Sequence, residues 1–306
     1  MMYVLLLVGF VLLIKGADFF VEGSSSLAKI LRVPTVIIGL TIVAMGTSAP
    51  EAAVSVTAGL SGNNDIALGN VIGSNLFNLL VVVGVCALIR RFEPDPSIMK
   101  RDFAVSILGA VLLFIFMLDY KIARVEGLIL LVLLAAYMTV TVIAAVKNRE
   151  EAEEEIKKLS PWMSVLYIVC GIAAVVVGGD MVVDNASAIA AEFGLSQNLI
   201  GLTIVALGTS LPELVTSIVA ARKGESGLAL GNVIGSNIFN IMFILGMSSG
   251  LHAITVSAES LIDVTILIIM SIAMFLGCKI KGSMGKAGGA VSVLAYVVYT
   301  IYIIMR

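Results

Sequence analysis

The sequence predicts an all-α polytopic membrane protein of ten transmembrane segments, arranged as two inverted-topology five-helix repeats, with segments 2, 3, 7 and 8 kinked or broken around a central site. Three observations carry that prediction. Hydrophobic residues make up 59% of the 306 and charged residues 13%, at a mean hydropathy of +1.10, far outside the range of soluble domains. Apolar runs of about 20 residues, the length that crosses a bilayer, recur along the whole chain. Gly39 to Ala58 (GLTIVAMGTSAPEAAVSVTA) and Gly201 to Ala220 (GLTIVALGTSLPELVTSIVA) agree at 13 of 20 positions without a gap, at an offset of 162 residues. The same offset lays Ala67 to Asn78 on Ala229 to Asn240 with one difference in 12.

In order, the apolar segments fall near 3–27, 35–59, 66–89, 102–118, 124–146, 162–190, 197–221, 228–251, 260–279 and 287–305. The first contains Lys15, Asp18 and Glu22 and lacks both a basic start and a small-residue cleavage site; it reads as a retained helix and not a signal peptide. Residues 147–160, with the run KNREEAEEEIKKL, form a solvated linker. They divide the chain into a first five-helix repeat, 1–146, and a second, 161–306, within one membrane domain.

Placing the odd-numbered connections on one side gathers 15 of the 19 Lys and Arg residues, including Lys29, Arg90, Arg91, Lys223, Lys281 and Lys286. The opposite side holds Lys121, Arg124 and Arg306, and Lys15 sits within a segment. By the positive-inside rule the linker is cytoplasmic and both termini face out. Because five is odd, the second repeat starts from the opposite face. Inverted repeats with interrupted helices are the architecture of secondary transporters.

The repeated stretch explains itself chemically. Pro50 has no N–H to give to the Gly46 carbonyl and its ring presses on that carbonyl, so the helix opens around Ala44 to Thr47; Pro212 does the same near Ala206 to Thr209. Carbonyls freed at membrane depth need protein, a polar cavity or a cation. Thr47, Glu51 and Ser55 are four apart on one helical face with Ser48 adjacent, and Thr209, Ser210, Glu213 and Ser217 repeat the pattern. Asn70, Ser74 and Asn78, and Asn232, Ser236 and Asn240, are also four apart. Carboxylate, hydroxyl, amide and carbonyl oxygens with nothing softer suit Ca²⁺ and Na⁺, and not zinc or copper. Glu51 and Glu213, brought together by the pseudo-two-fold, match one Ca²⁺ or two monovalent cations, and protons are expected to compete. Gly69, Gly73, Gly231 and Gly235 form small-xxx-small pairs that let helices approach closely.

A single proline kink with Thr and Ser is a common packing device; a duplicated one carrying a glutamate each time points to function, since a lone buried charge is costly. Asn75 and Asn237 fit interhelical hydrogen bonding. Lys15 and Asp18 fit mutual neutralisation, and His252 fits the surface. Cys86, Cys170 and Cys278 have no metal or redox spacing and read as small buried hydrophobes. Trp162 and the tyrosines near the C-terminal end fit interface anchors. No Walker motif, HExxH or nucleophile–base pairing is present, which points away from an ATP-driven pump and from an intramembrane enzyme. No cofactor and no nucleic-acid partner are expected. The partners are the lipid bilayer and the transported ions, and the chain reads as a monomer.

GTSAPE and GTSLPE, each followed by GNVIGSN, resemble the two alpha-repeats of the calcium/cation antiporter superfamily, in particular the prokaryotic sodium/calcium exchangers. The likeness covers essentially the whole chain. It implies that Glu51 and Glu213, with hydroxyl or carbonyl oxygens of Thr47 and Thr209, hold Ca²⁺. It further implies Na⁺ sites built from Ala44, Ser48 and Ser74 on one side and Ala206, Ser210 and Ser236 on the other, with Asn78 and Asn240 facing the middle. Archaeal members of known fold look to have Asp where this chain has Asn240, and the potassium-dependent branch is similar in placing an acid there; Asn240 leaves two formal charges. The implied activity is Ca²⁺ for Na⁺ antiport by alternating access at a plasma (inner) membrane. A Ca²⁺/H⁺ antiporter is the nearest alternative, although that branch usually shows a GNxxE-type motif, and a cation channel is a more distant one.

Overall fold

The computed structural model describes residues 1–60, 64–94, 98–147, 159–194 and 206–306. Among the described residues, eight single helices are long and apolar enough to cross a membrane, and a bent pair makes a ninth when counted as one span. They are α1 (Met2–Leu31), α2 (Thr35–Thr47 and Ala49–Leu60, bent by 51°), α3 (Ile66–Ile89), α4 (Ile98–Asp119), α5 (Arg124–Lys147), α6 (Pro161–Glu192), α8 (Ser226–Leu251), α9 (Ala258–Lys281) and α10 (Lys286–Met305). Between α6 and α8 lies α7, Leu211–Lys223, preceded by the short helical turn Ala206–Gly208. The rest of the expected seventh segment, and residues 148–158 of the expected linker, lie outside the described residues.

Burial sorts the helices into an inner set and an outer one. The apolar stretch of α8 is 94% buried and that of α3 72%, while the corresponding stretches of α5 and α10 are 22% and 17% buried. Thus α2, α3, α7 and α8 form the centre, and the outer helices turn Leu, Ile and Val toward lipid.

The longest helices, α1 and α6 (30 and 32 residues), pack antiparallel along a seam of small residues. A Cβ on Gly9 would touch Gly178 O, one on Gly16 would lie 2.8 Å from Ala174 Cβ, and one on Gly171 would lie 2.6 Å from the Phe20 amide nitrogen. At Gly23 the opposing residue is Ser164, which also donates to Ser26 Oγ at 3.0 Å. At lengths of roughly 45 Å, both exceed a hydrocarbon core of about 30 Å and must tilt to fit it.

Backbone pairing ties the connections together on each end of the bundle. β1 (Lys121–Ile122) pairs antiparallel with β2 (Ile254–Thr255), matching Ile122 to Ile254. At the other end Phe92 pairs with Met284 through N–H to O contacts of 3.1 and 2.9 Å. Phe92 and Ile254, and Ile122 and Met284, stand at the 162-residue offset seen in the sequence.

The helix opening expected over Ala44 to Thr47 is displaced. Ala44–Thr47 stays α-helical, and the break falls at Ser48 (φ −81°, ψ 10°), two residues before Pro50. The physical reason is that Ser48 N–H still reaches Ala44 O at 3.0 Å, so the helix runs until proline crowding is felt. A π-helical turn lies upstream at Gly39–Val43. Of the three cysteines, Cys86 and Cys278 are buried but Cys170 is exposed on α6. It faces outward from a helix whose outer surface is apolar, where a small thiol is tolerated. Among the glycines expected to admit close approach, Gly231 and Gly235 do so, with Cβ positions 2.6 Å from Val36 O and 2.7 Å from Ala44 Cβ. For Gly69 and Gly73 no described residue lies within 4 Å.

Candidate ion-binding site

Two glutamates occupy the centre of this bundle. Glu51, in the first turn after the α2 break, and Glu213, in the first turn of α7, are both 0% exposed. The breaks before them share one conformation: Ser48 has φ −81°, ψ 10° and Ser210 has φ −91°, ψ 6°. Helix restarts there, with Ala52 N–H bonded to Ser48 O at 3.0 Å and Leu214 N–H to Ser210 O at 3.1 Å. Each glutamate therefore sits near a helix N-terminus, where the backbone dipole favours negative charge.

The serine of each break reaches across to the other glutamate. Ser48 Oγ donates to Glu213 Oε1 at 2.8 Å and Ser210 Oγ to Glu51 Oε1 at 2.9 Å. Ser74 on α3 joins the Glu51 cluster, 3.0 Å from Ser210 Oγ. Ser236 on α8 joins the Glu213 cluster, with Oγ 3.4 Å from Glu213 Oε1 and 3.5 Å from the Ala44 carbonyl.

A second layer braces these groups. Asn232 Nδ2 donates to Ser217 Oγ at 2.9 Å and to the Glu213 carbonyl at 3.4 Å, and its Oδ1 accepts from Thr47 Oγ1 at 3.0 Å. Asn70 repeats the pattern with Ser55 Oγ (2.9 Å), the Glu51 carbonyl (3.4 Å) and Thr209 Oγ1 (3.4 Å). Asn75 and Asn237 clasp α3 to α8 reciprocally, each Nδ2 donating to the other's carbonyl at 3.2 Å. That fixes Asn75 Oδ1 toward Asn240, whose Nδ2 donates to it at 3.0 Å. Asn78 and Asn240 each open a π-helical turn, Asn78–Val82 and Asn240–Leu245; such bulges recur at functional sites because the extra residue re-aims side chains.

The structure links Glu51, Glu213, Ser48, Ser210, Ser74, Ser236, Thr47, Thr209 and Ala44 through these contacts; Asn240 is bonded to Asn75, Asn78 has no described hydrogen bond, and Ala206 heads the turn Ala206–Gly208 with no contact of its side chain described. Sequence reasoning left Asn70, Asn232, Ser55 and Ser217 outside the site. Their four-residue spacing was the available signal, and their role is to hold backbone and threonines in place.

Electrostatics separate this centre from the other buried acids. Asp102 has Arg101 Nε at 2.7 Å and Tyr137 OH at 3.0 Å, and Asp263 is gripped by Arg306 at 2.8 Å through both oxygens. Neither Glu51 nor Glu213 pairs with a described Lys or Arg. Glu51 Oε2, Glu213 Oε2, both polar atoms of the Asn78 amide and Asn240 Oδ1 are buried without a hydrogen-bond partner among the described residues. Uncompensated carboxylate oxygens in such a place are expensive, and a bound cation or a proton would relieve them. No group of three or more His, Cys, Asp or Glu suited to a metal occurs among the described residues; the oxygens described beside the two glutamates belong to Ser, Thr, Asn and backbone carbonyls.

The family described as "Sodium/calcium exchanger protein" matches residues 1–143 and 163–305. The chain belongs to the sodium/calcium exchanger family. It is 32% identical to sodium/calcium exchanger MaX1 of Methanosarcina acetivorans, over 98% of this chain and 97% of that one. It is 38% identical to inner membrane protein YrbG of Escherichia coli, over 79% and 78% respectively. Its fold matches the solved structure of the sodium-calcium exchanger NCX_Mj with a TM-score of 0.88 at 32% identity, covering 99% of this chain and 98% of that one. As a member of this exchanger family, the chain is a multi-pass membrane transporter.

Proposed function

We propose that the chain exchanges Ca²⁺ for Na⁺ across the membrane by alternating access, with Glu51, Glu213, Thr47 and Thr209 holding Ca²⁺. Na⁺ is held in overlapping positions by Ala44, Ser48 and Ser74 on one side and by Ala206, Ser210 and Ser236 on the other, with Asn78 and Asn240 in the middle. The observation that carries this reading is the pair of fully buried carboxylates. Each is capped by the other half's serine, each keeps one oxygen without a partner, and no described basic residue neutralises them. Two negative charges balance one Ca²⁺ or two Na⁺, so the ions compete for the same oxygens. A bare pair resists moving through the bilayer, which makes translocation depend on loading.

The architecture in this reading is two inverted halves, 1–146 and 161–306, joined by the cytoplasmic linker 147–160, with both termini outside. The loop pairings at the 162-residue offset support the halves, and the basic loops support the orientation. The glycine seam makes α1 and α6 one sliding unit against the centre. Stoichiometry above two Na⁺ per Ca²⁺ would carry net charge, each worth about 2.3 kcal/mol per 100 mV.

Ca²⁺ flux in proteoliposomes under imposed Na⁺, K⁺ or proton gradients tests the reading. Na⁺ alone should drive uptake, and Glu51→Gln and Glu213→Gln should each reduce it to background. Drive by the proton gradient would instead make the protein a Ca²⁺/H⁺ antiporter. Exchange retained in both variants would remove the glutamates from the site.

A further inference from the structure

A cavity lies away from the glutamates, between α9 and α10 at the end of the bundle where Phe92 pairs with Met284. It holds about 740 Å³. Its two ends differ in chemistry. One is rimmed by Arg91, Lys281 and Lys286, and the body is walled by Leu80, Met270 and Met274. No Asp or Glu lines it, and none of the three cations is in an ion pair among the described residues.

The rim is a held structure. Arg91 directs Nε and Nη2 to Ser283 Oγ at 3.1 and 2.7 Å, which fixes the guanidinium plane and leaves its remaining N–H groups available. The loop carrying Ser283 is itself pinned by the Phe92–Met284 pairing and turns through Gly282 at φ 64°. Farther along, the lining residue Val291 is 68% exposed on the membrane-spanning α10, so the mouth faces hydrocarbon. Charge at the level of the basic loops and an apolar slot at acyl depth form an amphipathic pair.

We propose that this cavity binds an anionic phospholipid of the leaflet on the basic side. The phosphate lies against Arg91, Lys281 and Lys286, and one acyl chain lies along Leu80, Met270 and Met274. Basic pockets between transmembrane helices on the positively charged face recognise anionic headgroups, and unbranched methionines adapt to a flexible chain. A free phosphate would use the rim alone and leave the apolar body without purpose. Leu80 belongs to the π-helical turn that begins at Asn78, so an occupying chain packs two residues from an amide of the candidate ion site.

The test uses the full-length purified protein, delipidated and titrated with phosphatidylglycerol or phosphatidylcholine, with bound lipid read by native mass spectrometry. The wild type should retain phosphatidylglycerol in preference to phosphatidylcholine. The double variant Lys281→Gln/Lys286→Gln, at two exposed positions, should lose that preference by roughly tenfold or more. Met274→Trp, which fills the body and spares the rim, should lose binding as well; thermal unfolding of both variants checks that they fold. Equal retention of the two lipids by the wild type, or a preference unchanged in both variants, overturns the proposal. Displacement of phosphatidylglycerol by inorganic phosphate at comparable concentration also overturns it, since the site would then be one for small anions.

Discussion

The two ends of the candidate ion site are built from the same residue types and closed to different degrees. Near the basic loops, Thr47 is 1% exposed and donates to Asn232, also 1% exposed, at 3.0 Å. At the other end their mates at the 162-residue offset, Thr209 and Asn70, are half-buried and 3.4 Å apart. The flanking helices follow suit: Leu228 on α8 is 0% exposed, whereas Ile66, its mate on α3, is 54% exposed. Near-identical sequences therefore support both a sealed and a loosened arrangement. That is the property an alternating transporter needs, since its two halves must trade conformations without changing their chemistry.

Glycine substitution gives the widest test of this contrast. Gly231→Ala places a methyl 2.6 Å from Val36 O and 3.0 Å from Gly39 Cα, and should cost about 3 kcal/mol through forced separation of α2 and α8. Gly277→Ala, on the outer α9 with no described neighbour within 4 Å, should be neutral or stabilise by about 0.5–1 kcal/mol through helix propensity. Thermal unfolding in detergent reads both, and equal losses would show that the close approach of α2 and α8 at the sealed end carries no special cost.

Next in size is the asparagine pair. Asn232→Ala takes from Thr47 its bond across to α8, leaving it the Val43 and Ala44 carbonyls of its own helix, leaves Ser217 without its described partner in a dry interior, and should destabilise by about 2 kcal/mol. Asn70→Ala, at a half-buried position with water within reach, should cost about half as much. The same unfolding assay applies, and a reversed order would mean that the looser end carries the packing.

Accessibility sharpens the comparison directly. In a background with Cys86, Cys170 and Cys278 replaced, Thr209→Cys should react with a charged, membrane-impermeant thiol reagent added outside, and Thr47→Cys should stay silent from either side. Labelling of Thr47→Cys alone would assign the open end to the wrong face.

The smallest effect is expected at Asp18, where α1 is tied to α7 by Lys223 Nζ, 3.3 Å from Asp18 Oδ1 and 3.0 Å from its carbonyl. Both side chains are 36% exposed, so the pair is worth about 0.2–1 kcal/mol. Asp18→Asn weakens a tie formed near the sealed end. It should slow labelling of Thr209→Cys by no more than about fivefold, by favouring the opposite state; faster labelling would show that the tie does not hold this state.

The sequence by itself determined the solvent, the duplication and the chemical class of the ligand. Hydropathy requires a membrane interior, the 162-residue offset pairs the halves, and a glutamate beside proline in each apolar repeat is a local pattern that needs no partner to be noticed. Tertiary structure alone decided what those groups do with one another. Ser48 serves Glu213 and Ser210 serves Glu51 across sequence separations of 165 and 159 residues, and Asn240 must supply a hydrogen to Asn75 Oδ1 because Asn237 fixes the orientation of that amide. The displaced break at Ser48 and the exposed Cys170 were likewise settled by packing. The physical reason is common to all of them: periodicity and propensity report on neighbours within a few residues, while hydrogen-bond partners and burial depend on which helices meet and how closely. Two copies of nearly the same motif, sealed at one end and loosened at the other, cannot be told apart by composition.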